Sequence, residues 1–315
     1  MEYTLLPNTS LVISRIGLGC EPLGGSDWGP SADELSVKTI QRALDQGINL
    51  FDTADVYGLG HSETLLSKAL GRHRYKVVIV SKGGVNWTAP LQGMRAHTFT
   101  DATKKHLVGA VERSLRRLAI DCIPIYLVHR PDPNTPIQET IDALVECQTQ
   151  GKLRYFGLSN FPVSSIQEAQ SIARLGAIQL EYSLITTDPE RLIIPYTAEQ
   201  GIGVLAYGTL GQGLLTGKYN RHGSFPHTDR RRRLQDLNIT NWDNIDAALS
   251  RIQALSKEVM KDVSQIAVRW VLDSGAVSTA IVGAKSPAQV DNNIGCCGWR
   301  LSDEERALLR APNAH

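Results

Sequence analysis

The sequence predicts a closed (β/α)8 barrel, one domain over residues 1–315, with an N-terminal β-hairpin before the first barrel strand and a long loop after the seventh. Three observations carry this. Short runs rich in β-branched residues alternate with helical patterns until eight strands are counted. Several of these runs are apolar almost throughout, as strands buried on both faces must be. The competing architecture, a doubly wound nucleotide-binding sheet, lacks its fingerprint: GLGCEPLGG after the first strand has G-x-G but not G-x-G-x-x-G. Nor is GQGLLTGKY a P-loop, because its spacing is wrong and Tyr219 stands where Ser or Thr would ligate magnesium.

The elements follow in order. TLLPNTSLVISRIGLG sets two apolar runs around the turn-forming Pro7-Asn8, a hairpin that leads into a first barrel strand at Ile16 to Gly19. A helix from Ser31 through Gln46, capped by Ser31 and stopped by Gly47, precedes a second strand at Ile48 to Asp52. Leu65, Leu66, Ala69 and Leu70 mark the next helix, and VVIVSK, ending at Lys82, is the third strand. DATKKHLVGAVERSLRRL presents Leu107, Ala110, Val111, Leu115 and Leu118 on one helical face, and IPIYLVH is the fourth strand. TPIQETIDALVECQTQG is a helix opened by Thr135-Pro136 and closed by Gly151. Strands at Tyr155 to Ser159, Ala177 to Glu181 and Gly203 to Tyr207 are separated by helices near 162–174 and 191–200. A helix pair over Asp243 to Asp273 precedes the eighth strand, Ser278 to Val282. The least regular stretch is 208–241, which includes the run Arg230 to Arg233.

Composition narrows the function. Thirty-three Lys plus Arg against 32 Asp plus Glu leave a formal charge of +1, so no global field recruits nucleic acid or an anionic membrane. A small-molecule ligand is the expectation. Five cysteines, an odd number without a CxxC pair or zinc-finger histidines, suit reduced thiols in a cytoplasmic protein without a structural metal. No stretch approaches the ~18 apolar residues of a membrane span. Oligomeric state is not written in the sequence.

In a barrel of this kind the reactive groups sit at the C-terminal ends of the strands. Those ends carry Asp52 with Tyr57 after it, then Lys82, His129, Ser159-Asn160, Gln179 and Tyr207. Each residue alone has a structural reading: Lys82 snorkels, His129 is a hydrogen-bonded core histidine, and Asn160 caps the helix near Pro162. Together they converge on one rim, and their chemistry is complementary. A phenol has a pKa of about 10; a nearby Lys82 ammonium lowers it, Asp52 orients the ammonium, and Tyr57 becomes a general acid. His129 can hydrogen-bond the same substrate oxygen as negative charge develops on it. Such a set reduces a carbonyl group and needs a hydride donor beside it.

The sequence resembles the aldo-keto reductase family over nearly its whole length. The residues that carry the resemblance are FDTADVYG with Asp52 and Tyr57, SKGG with Lys82, LVHRPDP with His129, GKLRYFGLSNF with Ser159 and Asn160, QLEYSL with Gln179, LAYGTLGQGLLTGKY and IVGAKSPAQVDNN. Asp52, Tyr57, Lys82 and His129 match the family's catalytic tetrad. The resemblance implies an NADP(H) cofactor across the barrel mouth and a small-molecule carbonyl substrate. Ser159, Asn160 and Gln179 then hold the carboxamide, Tyr207 stacks on the nicotinamide ring, and Gly208, Thr209, Leu210, Gln212 and Gly213 approach the pyrophosphate. Cys20, Glu21 and Asp52 lie at the nicotinamide end; Gly283, Lys285, Gln289, Asn292 and Asn293 hold the adenosine end and any 2′-phosphate. SPAQV is a helix start after the eighth strand, where backbone amides favour phosphate.

Three positions depart from the family's pattern. Gln289 stands where many members have Arg, which implies a moderate NADPH preference; Pro124 replaces a common acid; and Glu21 is an unusual acid near the nicotinamide end, expected either to pair with a neighbouring cation or to select substrates. The Arg230 to Arg233 run is either a solvated face or part of a loop folding over the cofactor. The alternative of another class is a cofactor-binding regulatory subunit similar to the potassium-channel β subunits.

Overall fold

Two short antiparallel strands, β1 (Tyr3–Leu5) and β2 (Val12–Ser14), open the chain as the Pro7-Asn8 turn predicts. The structure is a computed structural model and describes residues 1–25, 28, 32–89, 96–227, 229–236 and 241–310. The barrel begins with β3 (Ile16–Gly19), α1 (Asp33–Asp45), β4 (Leu50–Asp52), a 3-10 turn (Tyr57–Gly60), α2 (His61–Leu70) and β5 (Val78–Gly83). A second hairpin, β6 (Val85–Trp87) with β7 (Thr98–Thr100), follows. Then come α3 (Lys104–Leu118), β8 (Ile123–Val128), α4 (Ile137–Thr149), β9 (Leu153–Ser159), α5 (Val163–Ile172), β10 (Ala177–Glu181), α6 (Ile193–Glu199) and β11 (Gly203–Tyr207). The chain finishes with α7 (Arg230–Asp236), α8 (Trp242–Val259), α9 (Val263–Leu272), β12 (Val277–Gly283), α10 (Pro287–Ile294) and α11 (Asp303–Leu309).

Eight of these strands close into a parallel barrel in the order β3-β4-β5-β8-β9-β10-β11-β12, and β12 pairs back onto β3 with Gly283 opposite Gly19. The expected fold is the observed one. The first, sixth and seventh barrel strands have the expected bounds, and the others differ by a few residues. Ser31, expected as the cap of the first helix, lies outside the described residues; the N-cap position is Ala32, without a side-chain cap. Three elements were not anticipated: the β6–β7 hairpin, whose alternation is too short to register, α7, built on the arginine run, and the short α11.

Alternation along the strands explains how an apolar barrel delivers polar groups to one end. Leu50, Val78, Val80, Ile125, Leu127, Ala177 and Leu205 belong to one buried cluster, whereas their chain neighbours Phe51, Ile79, Tyr126, Ile178 and Val204 belong to the cluster between barrel and helices. The period of two therefore carries Asp52, Lys82, Gln179 and Tyr207 into the barrel, one layer nearer its C-terminal mouth. The opposite end is closed by the N-terminal hairpin. Leu6, Leu11 and Ile13 join the inner cluster, and Leu6 lies so close to Gly203 that a Cβ there would meet its Cδ1 at 2.2 Å.

Candidate active site

Lys82 is the centre of the polar layer. Its side chain is 0% exposed, so it does not snorkel. Its Nζ donates to Asp52 Oδ1 and Oδ2 at 2.8 Å each and to the Thr53 carbonyl at 2.9 Å, and it lies 3.4 Å from Tyr57 Oη. Gln179 Nε2 donates to Asp52 Oδ2 at 2.7 Å, which anchors the carboxylate from the far side of the barrel. A buried ion pair held by this many hydrogen bonds fixes its geometry, whatever its net contribution to stability. His129 sets its ring edge-on to Tyr57, with centroids 5.7 Å apart at 81°. Its Nδ1 is buried and has no hydrogen-bond partner among the described residues, unlike that of a satisfied core histidine.

The electrostatics correct one expectation. The Tyr57 hydroxyl is held well above the ordinary phenol range, first by burial, then by the charges of Glu21 and Asp52 and by Tyr207, with Arg230 opposing. Burial, with the Glu21 and Asp52 charges behind it, outweighs the Lys82 ammonium, so the phenol is not brought down as the sequence suggested. His129 is held well below the usual imidazole value by burial, reinforced by Lys82, Arg130 and Arg230. Near neutral pH the site therefore presents a protonated phenol beside an uncharged imidazole.

Both groups face a cleft of about 1680 Å³ that runs from Tyr57 and His129 past Tyr207 to α10. That exceeds the roughly 300–1,000 Å³ of a pocket for one small molecule. Of the residues expected to hold a cofactor, Glu21, Asp52, Ser159, Asn160, Gln179, Tyr207, Gly208, Thr209, Leu210, Gln212, Gly213, Gly283, Lys285, Gln289, Asn292 and Asn293 all line it. Cys20 does not: its thiol is wholly buried, 3.7 Å from the Leu18 carbonyl, because the chain turns at this residue and sends Glu21 outward instead.

Local structure explains the lining. Asn160 has φ 64°, outside any helix, so it is not the cap of α5; its Nδ2 donates to the His129 carbonyl and its Oδ1 accepts from Tyr207 Oη at 2.7 Å. Gly208, Gly211, Gln212 and Gly213 all have positive φ, which curls the 208–213 turn into a concave backbone surface of the kind that binds anions. At the far end Ser286 caps α10, the Lys285 amide donates to Gln289 Oε1 at 2.7 Å, and Lys285 Nζ donates to the Trp28 carbonyl. Asn292 is held by Ser264 and Asp262. Amide side chains at one end, a curled backbone in the middle and a cation at a helix start suit a carboxamide, a pyrophosphate and a further phosphate, so the residues present fit a nicotinamide dinucleotide.

The cleft also has walls that sequence reasoning missed. Arg231 is only 8% exposed, paired with Asp229 at 2.6 Å and set 4.4 Å from the ring centres of Tyr219 and Phe225. The start of the arginine run is thus an anchor rather than a solvated face. Its neighbour Arg230 pairs with Glu21 at 2.8 Å and sits 5.6 Å over the Trp28 ring. Glu181 lines the same region, its carboxyl raised by burial while Arg230 and Arg130 oppose. Its position two residues beyond Gln179 on one strand was the available signal. Thr98, Phe99 and Thr100 of β7 line the same cleft, where no sequence signal pointed.

A polar layer of this composition at the mouth of a (β/α)8 barrel defines a carbonyl-reducing class of protein, and comparison with known proteins gives the same class. The chain belongs to the aldo/keto reductase family, whose sequence profile matches residues 15–313. It is 36% identical over 309 residues to the aldo-keto reductase YhdN of Bacillus subtilis (strain 168), covering 97% of this chain and 92% of that protein. It is 32% identical to a probable aldo-keto reductase of Glycine max, over 93% of this chain and 83% of that one. Among solved structures, the glycerol dehydrogenase AKR11B4 from Gluconobacter oxydans superposes with a TM-score of 0.89 at 37% identity, over 98% of this chain and 93% of that one. Aldo-keto reductases use nicotinamide cofactors and act on small-molecule carbonyl compounds. Among the described residues, no helix is long and apolar enough to cross a membrane, and no His, Cys, Asp and Glu group is arranged to hold a metal.

Proposed function

We propose that this protein is an NADPH-dependent reductase of small, neutral, hydroxylated aldehydes and ketones, with sugars among them, and that Tyr57 is the proton donor. The observation that carries the reading is Lys82, wholly buried, doubly bonded to Asp52 and 3.4 Å from the Tyr57 hydroxyl. Burying an ammonium is costly and has an evident use where a phenolate must be stabilised as it forms. The nicotinamide cofactor, when bound, would supply the hydride for the carbonyl carbon. Tyr57 gives its proton to the carbonyl oxygen as charge grows there, and Lys82 stabilises the phenolate left behind. His129, uncharged, donates a hydrogen bond to the same oxygen and so polarises it without a competing positive charge.

Ser159, Asn160 and Gln179 would hold the carboxamide, Tyr207 would face the ring, the 208–213 turn would meet the pyrophosphate, and Lys285 would meet the 2′-phosphate. The substrate class rests on Glu21 and Arg230, whose paired carboxylate and guanidinium offer hydroxyl groups both an acceptor and a donor without net charge. The relative named as a glycerol dehydrogenase, handling a polyol, supports that class. An intact tetrad favours chemistry over a regulatory subunit. The test is NADPH consumption over a panel of neutral hydroxyaldehydes, simple aldehydes, ketones and acidic aldehydes, repeated with NADH. Turnover is expected, fastest with the neutral hydroxylated members. A protein that binds NADPH but consumes none across the panel is the regulatory alternative.

A further inference from the structure

Behind the barrel wall that carries Lys82 lies a second polar cluster that the reaction does not use. Asp55, midway between Asp52 and Tyr57, is wholly buried, and neither carboxyl oxygen has a hydrogen-bond partner among the described residues. Glu63 beside it is also wholly buried, but its oxygens accept from Ser81 Oγ and from Arg117 Nε at 2.6 Å each. Arg117 is therefore committed to Glu63, and its Nη2 is buried without a partner. Tyr126 Oη and Ser114 Oγ, buried and facing each other across the gap between β8 and α3, have only each other for a partner among the described residues.

The two Asp55 oxygens and Arg117 Nη2 are left orphaned beside that pair, and each such atom costs as much as a lost hydrogen bond. Direct pairing among the described residues does not resolve it: Arg117 is engaged by Glu63, and no hydrogen bond joins the Arg113 guanidinium to Asp55. Water does, because the cluster offers a guanidinium N–H, two hydroxyls and a carboxyl, the three or four mixed partners that an internal water takes. Burial and the Glu63 charge hold the Asp55 carboxyl well above its ordinary range, with Arg117, Arg113 and the Val56 amide opposing.

The cluster grips the segment that ends in Tyr57. The Asp55 amide donates to the Lys82 carbonyl at 3.1 Å, and Arg117 packs so close over Gly60 that a Cβ there would meet its Cδ and Nε at 2.7 Å. Between them Gly58, Leu59 and Gly60 all have positive φ, a turn that persists only when its surroundings hold it. We propose that Asp55, Ser114, Arg117 and Tyr126 enclose an internal water site, and that Asp55, hydrogen-bonded through that water, is a positioning residue for Tyr57. The positioning half rests on Tyr57 being the proton donor.

The experiment has a structural and a kinetic arm. A crystal structure of the full chain with NADPH should show at least one ordered water bonded to Asp55 and to Tyr126 or Ser114; a dry cluster with direct side-chain bonds overturns the site. In the kinetic arm Asp55→Leu, which fills the space without hydrogen-bonding, should lower kcat about 10- to 100-fold, the scale of a small misplacement, with NADPH affinity within about 2-fold of wild type. Asp55→Asn, which can still bond the water, should recover most of that loss. Wild-type kcat in Asp55→Leu, or equal losses in the two variants, overturns the positioning role. If Asp55→Leu does not fold, the double variant Ser114→Ala with Tyr126→Phe removes two of the water's partners instead, and an unchanged kcat there is equally fatal. Tyr57→Phe serves as the reference: full turnover in that variant removes the proton donor itself, whereas the water density stands or falls independently of it.

Discussion

Asp52 and Lys82 neutralise each other at 2.8 Å, and burial is then the first influence on how Tyr57 behaves. With the ammonium balanced, burial and the Glu21 charge dominate, and the phenol keeps its proton. A group that keeps its proton until an oxyanion forms beside it is an acid for reduction rather than a resident base. Tyr57→Phe retains the ring and removes the acid, so kcat/KM for carbonyl reduction should fall about 100-fold or more with NADPH affinity little changed. Fluorescence titration beside steady-state kinetics separates the two, and near-normal turnover would end the assignment. Lys285 is the second residue whose role can be isolated. Its half-buried ammonium is drawn below its ordinary value by burial and by Arg231, while Asp229 opposes, and Gln289 gives only neutral hydrogen bonds. Lys285→Ala should weaken NADPH binding about 10-fold and leave NADH binding nearly alone, a contrast that direct titration of both nucleotides measures. Equal losses for the two would take the 2′-phosphate away from Lys285.

At the level of elements, the turn Tyr57–Gly60 is held from both sides, by Gly24, whose carbonyl a Cβ at Gly58 would meet at 2.2 Å, and by Arg117 over Gly60. Gly60→Ala adds strain at φ 96° and forces Arg117 off Glu63, leaving a buried carboxylate short of its cation. Urea unfolding should show a loss of about 2–4 kcal/mol. Gly151→Ala, at φ 74° with open space around it, should lose only about 1 kcal/mol; similar losses at both sites would leave backbone strain as the whole effect. A second link joins Glu21, after β3, to Arg230, in α7, across 209 residues of chain. Glu21→Gln keeps the size and removes the charge, so kcat/KM for acidic aldehydes relative to neutral ones should rise severalfold. An unchanged ratio reduces the pair to a loop fastener. These links mark the limit of what the sequence discloses. Asp52, Lys82, Gln179 and Tyr207 were legible because each ends a strand whose alternation alone aims it inward. Arg231 between Tyr219 and Phe225, and β7 against the cleft, depend on how distant loops meet, which no local periodicity encodes.

The barrel as a whole was readable for the same reason that its site was: eight parallel strands buried on both faces leave few arrangements, and their C-terminal ends share one mouth. What was not readable is the state of charge inside, since burial depth is a property of the assembled molecule. It has a measurable consequence for stability. His129 is held below the ordinary imidazole value, so below about pH 6.5 the unfolded chain binds a proton that the folded chain refuses. The unfolded state then holds more protons, and the stability contributed by His129 is present above that pH and lost as pH falls. Asp55 runs the other way. Its raised carboxyl keeps a proton that the unfolded chain releases above about pH 4, so its contribution is present at low pH and fades as pH rises. Urea unfolding of wild type, His129→Gln and Asp55→Asn at pH 5.5, 6.5 and 7.5, ~1 unit apart, separates them, each proton setting a limit of about 1.4 kcal/mol per pH unit. Wild-type stability minus that of His129→Gln should increase with pH, whereas wild type minus Asp55→Asn should decrease over the same interval. Parallel curves for all three proteins would mean that neither group changes its proton affinity on folding, and both buried assignments would fall.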